Sequence, residues 1–167
     1  LYHNIDFEYA LKDYKVTNSS TVSNTILNSS GSNISYLIKN NLRYSTLNKG
    51  FIAKTGNYIN FNNIIETPTS SNNGFVKNIV TIKKYISGNK SIYGIHGKLG
   101  NIFSLNNNDI LTDDKFALGG RSLRGFDIFG AGPRNSRTSY IGGNNLAILK
   151  LDYSYEITRQ SDFPFYL

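Results

Sequence analysis

Few side chains here could do covalent or acid–base chemistry. The two histidines, His3 and His96, fall on separate segments, and neither has a recognisable nucleophile partner. Asp6 and Glu8 are two residues apart and share one face of an extended strand, as a glycosidase pair could, but a hydrated polar face explains them more simply. Gly120 and Gly125 have the spacing of a phosphate-binding loop, yet Phe126 stands where that loop needs Lys. Asn106, Asn107 and Asn108 with Asp113 and Asp114 offer oxygens for calcium without the alternating spacing a calcium loop requires. No catalytic group, metal or cofactor is expected, and the chain reads as a non-enzyme.

The stretch from Phe116 to Pro133 carries more information. It is rich in Gly and Pro, yet two arginines, Arg121 and Arg124, and three aromatics, Phe116, Phe126 and Phe129, sit among them. Large side chains favour burial, so a long loop folded back onto a wall is expected rather than a linker. Gly119, Gly120, Gly125, Gly130, Gly132, Gly142 and Gly143 are expected to permit positive φ and close backbone approach. Arg124 is the principal candidate for pinning the loop, because its guanidinium keeps its charge and can make a bidentate pair with a carboxylate. Losing such a pair would cost about 3–5 kcal/mol if Phe126 shields it, and about 0–1 kcal/mol if water reaches it.

The elements that must hold this loop show a two-residue period. Strands are expected near 2–16, 34–46, 57–66, 75–87, 91–105 and 144–158, with residues 106–143 forming the long loop. Ile5, Phe7, Tyr9 and Leu11 share one face; Asn4, Asp6, Glu8 and Lys12 share the other. The last segment is the cleanest, with Leu149, Leu151, Tyr153 and Tyr155 opposing Lys150, Asp152, Ser154 and Glu156. The third is weaker, because Ile64 falls on its polar side.

Either a soluble sandwich or a membrane barrel produces such faces. The strands exceed the ordinary 5 or 6 residues, charges lie deep in mid-strand, Tyr gathers near strand ends, and long and short connections alternate. These features favour an all-β transmembrane antiparallel barrel. Six strands fall short of the smallest bacterial barrels, and both ends look cut, so a fragment of about six consecutive strands is expected.

The net charge of +7 comes from 18 basic and 11 acidic residues among 167. The basic residues are scattered and Lys, Asn, Ile and Tyr are all abundant, so no nucleic-acid role is expected. With no Cys there are no disulfides. No apolar run approaches the roughly 20 residues of a membrane helix, which says nothing against barrel strands.

Phe116, Gly119-Gly120, Leu123-Arg124-Gly125-Phe126, Gly132-Pro133 and Gly142-Gly143-Asn144 together resemble the BamA family of outer-membrane assembly factors, within the bacterial surface antigen superfamily. Arg43 to Leu47, followed by Thr55-Gly56, resembles a strand and turn of the same barrel. Leu123 stands where Val is common. The resemblance implies a barrel of about sixteen strands behind periplasmic domains, in the bacterial outer membrane, with the Arg-Gly-Phe tip inside the lumen. It implies that Arg124 pairs with Asp152 on the lumen face of the next strand, and strand alternation independently puts Asp152 on the polar face. The implied partners are unfolded β-barrel proteins as substrates, assembly lipoproteins, membrane lipid and lipopolysaccharide. The insertase role would belong to the parent protein, whose seam between first and last strands lies outside this chain. Two alternatives stand: a two-partner secretion transporter of the same superfamily, and a soluble β-rich binding domain.

Overall fold

The structure, a computed structural model, describes residues 1–15, 31–48, 52–69, 74–106, 109–134, 140–158 and 165–166. Most of the connection expected at 17–33 lies outside these residues, as do Asn107, Asn108 and residues 135–139 of the expected loop.

The described chain is an antiparallel meander. Its strands are β1 (Tyr2–Tyr14), β2 (Gly31–Ser45), β3 (Gly56–Glu66), β4 (Phe75–Ser87), β5 (Ser91–Ser104), β6 (Asn145–Thr158) and a short β7 (Phe165–Tyr166). They form one sheet in chain order, with β1 and β7 at its open edges. β2 starts three residues before the alternation suggested. The aromatic residues at Phe165–Tyr166 pair with β6 as the beginning of a further strand. The all-β class and the long consecutive strands match the sequence pattern, and the open sheet is an arc of a barrel wall.

Register makes the two faces explicit. Val76 pairs with Phe103, Val80 with Leu99, and Ile95 with Leu151. This face is bare: Phe7 is 80%, Leu149 72% and Leu151 73% exposed. Tyr pairs flank the apolar span, Tyr9 with Tyr36 and Tyr93 with Tyr153, at ring distances of 5.5 and 5.3 Å. On β5, Tyr93 and Phe103 are ten residues apart. At roughly 3.3 Å per residue and a tilt of about 40°, that spans roughly 25 Å, the apolar height of an outer-membrane barrel. One polar row crosses the face: Asn40, Asn63, Asn78, Asn101 and Asn145 are successive cross-strand partners. Asn63 Nδ2 donates to Asn78 Oδ1 at 2.7 Å, so part of the row satisfies itself.

The opposite face is polar, with Lys39 paired to Glu8 and Asn41 donating to Asn60 and Asn62. It nevertheless carries the core. Phe75, Ile102 and Leu146 are buried there together with Ile110 and Phe116 of the β5–β6 loop, and Ile64, Ile79, Leu118 and Ile148 pack around them. Ile64, which breaks the alternation of β3, thus faces the loop rather than water. Because Ile102 is 3% exposed at the centre of this cluster, Ile102→Ala should lower the stability of the full-length protein by about 2–4 kcal/mol. Urea unfolding checks this, with Leu105→Ala, at an exposed site, as the control that should stay near wild type.

Candidate functional site: the inward loop and its seat

The β5–β6 loop covers the polar face through a seat assembled from three strands. Gly100 lies between Ile79 and Leu146 in the cross-strand register. Lacking a side chain, it leaves a gap that the Phe116 ring fills; a Cβ added there would lie 2.6 Å from Phe116 Cζ. Lys77 closes the ring from the neighbouring strand, its Nζ 4.6 Å from the ring centre and donating to the Asp114 carbonyl at 2.6 Å. The loop therefore arrives with its own apolar anchors on a wall that is otherwise wet.

Backbone pairing holds those anchors. Phe116 and Gly143 exchange hydrogen bonds at 2.9 and 3.0 Å, and Ile102 N donates to Asn144 O at 2.9 Å. The Gly142-Gly143-Asn144 run thereby ties the loop to β5 at the point where β6 begins. Ile141 N donates to Pro133 O at 3.1 Å. The Tyr140 hydroxyl donates to the Phe116 carbonyl, and its ring stacks on Phe129 at 5.3 Å.

Between Leu118 and Ala131 the loop closes on itself as a small hairpin, with Ala131 N donating to Leu118 O and Gly120 N to Phe126 O. Ser122 Oγ accepts from Gly119 N at 2.9 Å and donates to Gly119 O at 2.8 Å. Gly119 has φ 138°, and a Cβ there would lie 1.9 Å from Asp127 O, so only glycine fits this turn. Gly120, Gly125, Gly132 and Gly142 also take positive φ, whereas Gly130 and Gly143 do not. The hairpin tip reaches the wall where Lys150 Nζ donates to Arg121 O at 3.4 Å.

The expected Arg124–Asp152 pair is not formed among the described residues. Asp152 Oδ2 lies 3.3 Å from His96 Nε2, and Arg124 stands exposed on the turn of the self-closed hairpin. Phe126 is 51% exposed and does not shield it. Asp152 shares a face of β6 with Lys150. The partner differs because Gly94, opposite Asp152, leaves the neighbouring His96 free to reach across. Leu123 is half-buried in the tip. The apolar seat itself was missed in the sequence. Its signal was available: Phe75, Ile79, Ile102, Leu146 and Ile148 are all apolar residues standing on polar-face positions.

A model of the Omp85 superfamily domain matches residues 1–166. The chain belongs to that superfamily. Members of the Omp85 superfamily are outer-membrane proteins, and the long amphipathic strands agree with that. Comparison with curated proteins gave no match. Among the described loop residues of this Omp85 chain, Phe116 is tied through ring, carbonyl and amide together.

Burial pushes the Tyr140 phenol above its ordinary range. The folded state therefore holds this proton more tightly than the unfolded chain does. The stability it lends is complete below about pH 10 and is lost as pH rises past the folded value. Tyr140→Phe should cost about 1 kcal/mol and remove that alkaline loss. Protease cleavage of the 116–134 segment, followed from pH 8 to 11 in both proteins, measures it.

Proposed function

We propose that this Omp85 chain is the middle of the barrel of a BamA-type insertase, which folds and inserts β-barrel proteins into the bacterial outer membrane. One observation carries the reading. The Arg-Gly-Phe hairpin turns inward onto the polar wall, the Gly132-Pro133 step is tied within the loop to Ile141, and the Gly142-Gly143-Asn144 step bonds β5 where β6 begins. The bare outward band of roughly 25 Å supports a lipid-facing wall. The substrates would be unfolded β-barrel proteins, and the partners assembly lipoproteins, membrane lipid and lipopolysaccharide. Substrate strands would meet the parent protein at the seam between its first and last strands. The part played by this segment is to hold that barrel in shape from within.

The test uses the full-length protein in liposomes, presented with a urea-denatured β-barrel substrate. An insertase speeds the appearance of heat-modifiable folded substrate. Passage of a polypeptide into the liposome without faster folding would instead mark a secretion transporter. Arg124→Glu should slow assembly several-fold. Recovery on adding Asp152→Arg would put these two residues in contact in the working barrel, and no recovery would leave Asp152 with His96. Separately, Leu149→Lys on the outward face should destabilise the inserted protein by about 2–4 kcal/mol near mid-membrane. Ser154→Lys, on the wet face, should change it little. Equal effects at the two positions would rule out a lipid-facing wall.

A further inference from the structure

The wall beneath the hairpin tip is crowded with positive charge. Lys83, His96 and Lys150 are direct cross-strand partners in one row. Lys98 stands two residues from His96 on the same face of β5, in the next row, opposite Thr81 and Ile148. The three lysines, gathered around His96 on one face, repel one another. Their partners do little to offset this. Among the described residues none of the three lysines has a carboxylate partner. Lys83 Nζ lies 5.4 Å from the centre of the Tyr58 ring, and Lys150 makes one long bond to a carbonyl. The carboxylate at the edge of the group, Asp152, lies 3.3 Å from His96 Nε2 and reaches none of the three lysines among the described residues. Onto this wall the loop lowers a tip that brings two further cations, Arg121 and Arg124.

Between tip and wall lies a cavity of about 240 Å³ lined by Thr81, Lys83, His96, Lys98, Ser122 and Lys150. At roughly 30 Å³ per water it holds about eight waters, enough for a small hydrated anion. The side chains of Lys83, Lys98, Lys150 and His96 line it with the Thr81 and Ser122 hydroxyls, beside an apolar stretch at Gly97 and Ile148. No planar guanidinium fork lines it, so it suits a compact tetrahedral oxyanion held by point charges better than a flat carboxylate.

We propose that this cavity binds a phosphate-class anion that bridges the loop tip to the lumen wall, supplying the negative charge that Asp152 does not. Lys83, Lys98 and Lys150 hold it from the wall, and Ser122 contacts it from the tip. The site depends on the seated loop and not on the insertase reading, so it can fail or hold independently of substrate assembly.

The experiment takes the full-length protein in phosphatidylcholine nanodiscs and follows protease cleavage within 119–130. Inorganic phosphate is titrated against potassium chloride at matched ionic strength. Phosphate at millimolar concentration or below should slow cleavage several-fold, and chloride should not. Lys98→Gln should raise the phosphate needed by about ten-fold, as should Lys83→Gln. Protection that appears without added phosphate, but only in discs containing phosphatidic acid, would support the site and assign its anion to a lipid headgroup. Equal protection by chloride, or an unchanged phosphate response in both variants, would overturn the proposal. Should a variant fail to fold, as judged by its heat-modifiable migration, the phosphate-against-chloride comparison on the wild-type protein decides alone.

Discussion

Burial of the Phe116 ring over Gly100 is the contact on which the rest of the arrangement hangs. A barrel wall of this kind has lipid on one side and water on the other, so its inner face ordinarily offers nothing for a loop to pack against. Here Phe75, Ile79, Ile102 and Leu146 make an apolar island on the wet side, and the missing side chain at Gly100 gives the ring its depth. Lys77 then caps the ring with its ammonium group, which also donates to the Asp114 carbonyl. Remove the island and the hairpin beyond it, with its glycine turns and exposed arginine, would have no fixed relation to the wall.

The strands were legible because period-two alternation is a local property, and ten or more residues of it leave little room for another reading. The face of each side chain followed from the same parity, Asp152 included. What parity could not provide was partnership. Which base reaches Asp152 depends on Gly94 leaving space opposite it, and on a hairpin that closes through Gly120 and Phe126 before Arg124 can extend. Both are facts about positions far apart in the chain. The apolar seat is an intermediate case. Ile64 showed as a flaw in β3, but only the register places it beside Lys77 and Ile102, so that several such flaws become one surface.

The two faces also treat polar groups differently. On the outward side the asparagine row is tolerable because neighbouring amides can bond to one another across strands, as Asn63 and Asn78 do. On the inward side charges need no such economy, since water and ions can reach them. Lysines therefore accumulate there in a density that would be costly in a dry core. The same sheet can carry both patterns because the pleat separates them by a single residue.

Connection lengths impose an order of assembly. Three residues, 88–90, join β4 to β5, whereas forty, 105–144, separate β5 from β6. Closing the longer loop costs roughly 2 kcal/mol more in chain entropy. The β4–β5 hairpin is thus the cheapest long pairing to form, and β6 is the strand most in need of help. That help comes from the loop itself. Once Phe116 rests on Gly100, the free connection back to β6 shrinks to the residues between Phe116 and Gly143, whose amides already bond to each other. The inward loop is in this sense a splint for its own following strand, shortening the search by which the wall is extended.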